Sequence, residues 1–392
     1  MNTIPRDTDK VVYVLGAGFS IPAEAPTQAQ ILGDILKLDH GSARVQEAKL
    51  ELIHFLKEDL RINLTKIEKA ALEDIYTPID RCIADGTSLK SKTPEGLSKI
   101  RGELEYLVSI AIARRISQHQ ASEPKASWYV SKFAKFLVAK AARRAKFAKN
   151  AKTADRAKQY DPFSIISLNW DILLDNALHS ALKRECPKMG DYDAFGVVDY
   201  CCYISSLQPR DPRIRSGLWS LGCRGYNVKL LKLHGSMNWL QCPNCQRLFV
   251  EFGDKEDILE RVGSENCRHC QKAGYVNRLA GSLVMPTFLK DLSNFQIKLI
   301  WQNAGVELME AKRLVFIGYS LPNADFEFRQ LLSRMVHPHA VVEVVLYKAL
   351  TDDGKRQFKA EKERYRQFFG NRKLRFHSKG VVDYVKTVLG LK

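Results

Sequence analysis

The ten residues VVYVLGAGFS, at positions 11–20, join an apolar run to a turn that contains two glycines. The β-branched and apolar side chains of this run predict a buried strand over Val11–Leu15. Apolar residues then recur at helical spacing over 27–38, and Thr27 is suited to cap that helix. A strand, a glycine turn and a helix in this order are typical of the first unit of a nucleotide-binding α/β domain.

Further apolar runs downstream predict five more strands, most of them separated by helices. The runs occupy residues 162–168, 228–233, 283–285, 314–317 and 341–346. This alternation predicts a Rossmann-like α/β fold with a mostly parallel sheet. Sheets of this kind bind ligands at the carboxyl ends of their strands. The glycine turn, Asn169, His234 and Gly318 all fall at such ends, so we expect them to meet at one site.

The segment between the first two strands predicts a helical insertion. Strand patterns are absent from 41–159, and a 3.6-residue period appears over 50–60, 64–76 and 97–116. We therefore divide the chain into a nucleotide-binding domain, residues 1–40 and 160–392, and an insertion, residues 41–159. A highly charged helix over 352–366 is expected to lie on the surface.

The end of the insertion, residues 131–158, is strongly basic and carries Phe133, Phe136 and Phe147 among its cations. It predicts either an amphipathic helix with a solvated basic face or a docking surface for nucleic acid or an acidic partner. We expect these phenylalanines to pack between copies of the chain or against a partner protein. The net charge of +17 likewise favours polyanions, or else a solvated surface or docking to an acidic partner.

Composition limits the class of protein. No run of about 18 apolar residues occurs, which argues against a membrane span. The N-terminal ten residues are polar and do not resemble a signal peptide, so we expect a cytoplasmic protein.

Four of the nine cysteines form two closely spaced pairs: Cys242, Cys245, Cys267 and Cys270. Two Cys-x-x-Cys pairs supply the four thiolates that a structural Zn²⁺ prefers. We therefore predict a zinc module at residues 240–272, within the nucleotide-binding domain. The residues between the pairs include Glu251, Asp254, Glu256, Asp257 and Glu260, and these acidic side chains argue against contact of the module with DNA.

Taken in order, these motifs resemble those of the sirtuins, a family of NAD-consuming enzymes. The matching elements are Gly16-Ala17-Gly18-Phe19-Ser20, Asn169-Trp170-Asp171, His234-Gly235, the four cysteines and Gly318-Tyr319-Ser320. The resemblance covers residues 11–40 and 160–346. It leaves the insertion and the C-terminal tail unexplained.

The resemblance implies a role for each matching residue, with NAD as the substrate and Zn²⁺ as the structural metal. Residues that would cradle the phosphates are Gly16, Ala17, Gly18 and Ser20. Asn169 would hold the nicotinamide ribose, and Asp171 would lie on the nicotinamide side. His234 would be the general base toward a ribose hydroxyl or water. Gly318 and Ser320 would line the adenosine end.

The sequence differs from protein-deacylating sirtuins in two segments, and these differences narrow the expected activity. The peptide-binding segments of protein-deacylating sirtuins have no match at residues 25–29 or 284–291. The stretches 285–291 and 318–325 instead resemble the prokaryotic sirtuin-like branch of antiphage defence. We therefore expect an NAD⁺ glycohydrolase, a homo-oligomer that works with a partner such as a HerA-type hexameric ATPase. The alternatives are an NAD-dependent protein deacylase or ADP-ribosyltransferase, and a non-enzymatic NAD- or nucleic-acid-binding subunit of a larger complex.

Overall fold

A computed structural model of the chain describes residues 10–38, 42–150, 162–185, 195–207, 211, 213–214, 225–253 and 263–390, and for 145–150 it describes the backbone alone. Three sequence predictions fall outside these residues. They concern the basic positions 151–158, the side chain of Phe147 and the acidic positions 254–260.

The described residues contain strands in two sheets. The strands are β1 (Val11–Leu15), β2 (Phe163–Ser167), β3 (Gly196–Asp199), β4 (Ile204–Ser206), β5 (Tyr226–Lys232), β6 (Gly235–Gln241), β7 (Leu248–Val250), β8 (Ala280–Leu283), β9 (Arg313–Ile317), β10 (Val341–Val345) and β11 (Leu374–His377). The first sheet is parallel and has seven strands in the order β11, β10, β9, β1, β2, β5, β3. The predicted fold class is confirmed.

The α-helices flank this sheet and form most of the insertion. They are α1 (Gln28–Leu36), α2 (Ala43–His54), α3 (Leu72–Asp85), α4 (Pro94–Ser122), α5 (Trp128–Asn150), α6 (Leu173–Glu185), α7 (Arg268–Lys272), α8 (Phe295–Glu310), α9 (Phe326–Met335), α10 (Asp352–Phe369) and α11 (Gly380–Asp383). Thr27 caps α1 as predicted, in a reciprocal capping box with Gln30. Across the described ranges, no helix has both the length and the apolarity needed to cross a bilayer.

One predicted strand belongs to a different sheet from the one expected. The run predicted at 283–285 overlaps the observed strand β8 only at Leu283, and β8 pairs antiparallel with β6 in the second sheet, of order β4, β7, β6, β8. Gly235, the first residue of β6, has a φ of +70° and packs against β8. A Cβ at that position would lie 2.0 Å from the carbonyl oxygen of Ser282, so only glycine fits.

The insertion is helical in its described part, residues 42–150, which contains no strand. The helix predicted over 64–76 is wrong as a single element. A short 3₁₀ turn at Leu64–Lys69 precedes α3, and Ala71 between them has extended backbone angles. Asp74 accepts a hydrogen bond from the Ala71 amide at 3.3 Å, which starts the new helix there.

The apolar face of α5 is part of the core. The Phe133 ring lies 5.3 Å from that of Tyr13 in β1 and 5.8 Å from that of Phe19, measured between centroids. The expectation that Phe133 docks a partner is therefore wrong, because the ring is fully buried within its own chain. Arg144 is also buried and donates to Asn227 of β5 at 2.7 Å, whereas the neighbouring Arg143 is exposed.

Helix α10 is only partly a surface element, contrary to expectation. Its residues Tyr365 and Phe369 are buried, with ring centroids 5.3 Å and 5.8 Å from that of Phe316 in β9. The charged residues of α10 obscure this apolar stripe in the sequence. The helix thereby covers one face of the sheet beneath the loop that follows β9.

Candidate functional site

A cavity of about 210 Å³ lies where strands β1, β2, β5 and β9 end. Every non-metal site residue predicted from the sequence lines it, except Gly18: the lining includes Gly16, Ala17, Ser20, Asn169, Asp171, His234, Gly318 and Ser320. Parallel strands bring these distant segments to one edge of the sheet. The remaining wall comes from α1, from the segment after β8 and from the loop after β9.

The glycine turn packs against the loop after β9. The Gly18 amide donates to the Gly318 carbonyl at 2.8 Å, and Gly318 has a φ of +63°. A Cβ on Gly318 would lie 2.2 Å from the Gly18 carbonyl carbon, so both glycines are needed for this contact. Gly18 thus contacts the loop after β9 and does not line the cavity, whereas Gly16 and Ala17 do.

Asn169 and Asp171 are tied to the glycine turn through Ser20. The Asn169 Nδ2 group donates to the Gly16 carbonyl at 3.0 Å and to Ser20 Oγ at 3.1 Å. Ser20 Oγ in turn donates to Asp171 Oδ2 at 2.7 Å. Because Nδ2 makes both contacts of the Asn169 amide, its oxygen is left for a ligand. The sequence elements Gly-Ala-Gly-x-Ser and Asn-x-Asp therefore form one hydrogen-bonded wall.

A buried lysine supports this wall from below. Lys232, the last residue of β5, is fully buried and donates to the Asp171 carbonyl at 2.6 Å. It also pairs with Asp175 Oδ2 at 3.1 Å, and Tyr200 donates to the other oxygen of that carboxylate at 2.8 Å. Lys232 is not among the predicted site residues, because a lysine within a strand usually faces solvent.

His234 lines the same cavity, two residues after β5. Its Nδ1 atom lies 3.2 Å from the Leu168 carbonyl oxygen, which can only accept a hydrogen bond. Nδ1 therefore carries the hydrogen, and the neutral ring presents the lone pair of Nε2. Burial lowers the pKa of His234 below its ordinary value, more than the facing Asp325 raises it. The ring is thus neutral, and able to accept a proton, near pH 7.

Three polar residues of this wall were missed as site residues: Lys290, Tyr319 and Asp325. Asp325 Oδ1 lies 3.9 Å from His234 Nε2 and 3.1 Å from Lys290 Nζ, and its Oδ2 accepts from the Tyr319 hydroxyl at 2.9 Å. Burial opposes its charge, but His234 and Lys290 hold the pKa of Asp325 below its ordinary value. One sequence feature could have identified Asp325: it lies in the loop after β9, and β9 was already expected to end at the site.

The cavity combines a neutral imidazole, a carboxylate, an amide oxygen and a backbone turn. The apolar wall at Ile31, Ile112 and Met285 excludes water from one side. This arrangement can accept a proton, orient a hydroxyl group or water, and stabilise a developing positive charge. Cleavage of a glycosidic bond is one reaction that such groups can support.

The four predicted cysteine ligands come together beyond the end of β6 in the second sheet. Their sulfur atoms all lie within 4.8 Å of one another, with Cys242–Cys270 at 3.6 Å and Cys245–Cys267 at 3.7 Å. A tetrahedron built on Zn–S bonds of about 2.3 Å has edges of about 3.8 Å. The set therefore fits Zn²⁺, and a donor set of four thiolates is typical of a structural site.

The free edge of β8 is covered by the insertion. β8 is the last strand of its sheet and leads into Val284, which lines the cavity. Glu105 of α4 accepts a hydrogen bond from the Leu283 amide at 3.2 Å. The same carboxylate lies 2.9 Å from where a Cβ on Gly281 would be, so it occupies the space beside the strand. Burial raises the pKa of Glu105 to about 6.

Comparison with known proteins yields only a distant likeness. No protein-family model matches the chain, and no curated protein matches it. A Sir2 homologue variant in complex with ADP-ribose aligns with 98% of this chain and 94% of its own, at 13% identity and a TM-score of 0.33. Sir2 with a p53 peptide and NAD⁺ aligns with 97% of this chain and 92% of its own, at 13% identity and a TM-score of 0.34. At such scores the likeness assigns no role to any residue.

Proposed function

We propose that this chain hydrolyses NAD⁺ to nicotinamide and ADP-ribose. One observation carries the proposal: the motifs that resemble those of sirtuins, including the neutral imidazole of His234, line a single cavity. The amide oxygen of Asn169 would hold the nicotinamide ribose. The amide of Ala17, at the mouth of the turn, would meet the diphosphate.

The chemistry of the site supports glycosidic cleavage. When the bond between ribose and nicotinamide breaks, positive charge develops on the ribose ring. The carboxylate of Asp171 lines the cavity and would stabilise that charge. His234 would take the proton that water loses on attacking the ribose carbon, and its lowered pKa keeps it available for that task.

The decisive experiment follows nicotinamide release from NAD⁺ by the purified protein and its His234→Ala variant. We expect the variant to lose about 10²–10⁴-fold in kcat while keeping its fold. Because His234 has a lowered pKa, the unaltered protein should lose activity only below the ordinary histidine value of about pH 6.5. Turnover by the variant at the unaltered rate would remove His234 from the reaction.

The competing function is a protein deacylase. The edge of β8 argues against this function, because part of that edge is already covered. An extended peptide binds most simply by adding to a free strand edge. Here Glu105 already accepts the outward amide of Leu283, and α4 lies alongside. We therefore expect nicotinamide release to be independent of an added acetyl-lysine peptide. Release that requires the peptide would favour the deacylase, and transfer of ADP-ribose to protein would favour the ADP-ribosyltransferase.

We further propose that the activity serves antiphage defence in a homo-oligomer with a partner protein, for which the motif resemblance is the support. A hexameric ATPase would be that partner, and free NAD⁺ hydrolysis would be held low without it. Protection of cells from phage by the unaltered protein, and not by His234→Ala, tests the role. The mass of the protein in solution, with the products of neighbouring genes and with DNA, tests assembly, the ATPase partner and nucleic-acid binding.

A further inference from the structure

The side chains of His234 and Asp325 lie close together but do not form a hydrogen bond. The distance from His234 Nε2 to Asp325 Oδ1 is 3.9 Å, too long for a hydrogen bond. Nε2 is buried and has no hydrogen-bond partner within the described part of the chain. Since Nδ1 donates to the Leu168 carbonyl, Nε2 of the neutral ring is an acceptor. Two acceptors therefore face the same point in the cavity.

We propose that His234 Nε2 and Asp325 Oδ1 together bind the water molecule that attacks the nicotinamide ribose. A water oxygen about 2.8 Å from each acceptor would span their separation at an angle of about 88°, so that both O–H bonds make slightly bent hydrogen bonds. Both hydrogens would then point to protein, and the lone pairs would face the substrate. This inference rests on the proposed NAD⁺ hydrolysis and adds Asp325 to its catalytic residues.

Neighbouring groups keep Asp325 in the state that this task requires. Lys290 Nζ lies 3.1 Å from Oδ1, with only 2% of its side chain exposed, and Tyr319 donates to Oδ2. Burial raises the pKa of Tyr319, so its hydroxyl stays protonated and remains a donor. The carboxylate is therefore charged, and Oδ1 retains capacity to accept from water. Glu327 also pairs with Lys290, at 3.0 Å, so the lysine has a second counter-ion.

The step balances in atoms and charge. The bond from the anomeric carbon to the nicotinamide nitrogen breaks first, which leaves a ribosyl cation, and the water oxygen then forms a bond to that carbon. Nicotinamide leaves as a neutral molecule with the bonding electrons. One water proton passes to His234 Nε2, and the other remains on the new hydroxyl group of ADP-ribose. Asp325 stabilises the imidazolium until its proton reaches solvent.

The test compares two fates of the same bond cleavage. Exchange of labelled nicotinamide into NAD⁺ requires the glycosidic bond to break but needs no water, whereas hydrolysis needs both. Asp325→Asn should lower hydrolysis by about 10²-fold. It should lower exchange by less than about tenfold, because the variant loses the negative charge that holds the water while the ribose contacts remain. Glu327→Gln is the matched control: it removes the other carboxylate on Lys290, and both rates should stay near those of the unaltered protein.

Equal losses of hydrolysis and exchange in Asp325→Asn, or unaltered hydrolysis, would overturn the inference. A second measurement needs no turnover. NMR titration of labelled histidine should place the His234 pKa lower in Asp325→Asn than in the unaltered protein, because the facing carboxylate raises it. An unchanged His234 pKa would refute the pairing. Absence of both reactions in the unaltered protein would instead refute the NAD⁺ hydrolase, so the two failures are distinct.

Discussion

Buried hydrogen-bond partners orient the side chains that line this cavity. Asn169 is the residue expected to meet the ribose, yet its amide is oriented by Ser20 and by the Gly16 carbonyl. The backbone around it is held by Lys232, which donates to the Asp171 carbonyl and pairs with Asp175. Lys232 is therefore a positioning residue whose effect on the reaction passes through Asp171.

Two variants should show whether Lys232 matters because it positions the Asp171 carbonyl or because it neutralises Asp175: Lys232→Met, and Lys232→Met combined with Asp175→Asn. The single variant leaves the Asp175 carboxylate buried without its cation, which typically destabilises a protein by about 3–5 kcal/mol. The double variant Lys232→Met with Asp175→Asn removes both charges and should recover most of that stability. Its kcat should stay low, since the Asp171 carbonyl still has no donor.

Thermal unfolding and NAD⁺ turnover, measured on both variants, check this expectation. If the double variant recovers kcat together with its melting temperature, Lys232 serves charge balance alone.

At the scale of elements, the second sheet links the cysteine cluster to the cavity. β6 begins directly after His234, and β8 ends at Leu283, next to Val284 of the cavity wall. Cys242 directly follows β6, and the cluster joins it to Cys267 and Cys270, which precede β8 in the chain. Metal binding there would stabilise the sheet that leads to a wall of the cavity.

Cys267→Ser should therefore cost zinc, stability and activity together. A structural Zn²⁺ contributes roughly 10 kcal/mol or more to its local fold. We expect about one zinc per chain in the unaltered protein and none in the variant. Cys82→Ser is the matched control, because Cys82 is a free, half-buried cysteine of α3 outside the cluster.

Metal analysis and thermal unfolding of both variants decide the matter. A stable and active Cys267→Ser protein without zinc would show that the cluster has no structural role.

At the scale of the whole molecule, the insertion is a structural part of the sheet domain. Tyr129 of α5 donates to the Phe19 carbonyl at 2.7 Å, directly behind the glycine turn. Arg144 reaches Asn227 of β5, and Glu105 of α4 covers β8. The first two contacts are buried and the third is partly buried, so we expect the insertion and the sheet to unfold as one unit.

Arg144→Ala should lower the unfolding free energy of the whole chain by about 2 kcal/mol, because it leaves the buried oxygen of Asn227 without its charged donor. Arg143→Ala is the neighbouring control on the exposed face, and its effect should stay within about 0.5 kcal/mol. Denaturant unfolding followed by circular dichroism and by hydrogen exchange of the insertion measures both. Separate transitions for insertion and sheet would contradict a single cooperative unit.

The sequence by itself determined the parallel sheet, the helical insertion and the meeting of Gly16, Asn169 and His234. Strands can be recognised from the pattern of neighbouring residues in the sequence. The residues that directly follow each parallel strand then mark the ligand site, because ligands bind at the carboxyl ends of such strands. The cysteine cluster was equally accessible, since its ligands come in closely spaced pairs.

Only the tertiary structure decided which polar groups face one another. Asp325 and His234 are 91 positions apart in the sequence, and no local pattern brings a loop after β9 to within 3.9 Å of the end of β5. Lys232 and Glu105 were hidden for the same reason: their burial depends on helices packed from elsewhere in the chain. Side-chain partners across a fold follow from packing in three dimensions, which periodicity does not encode.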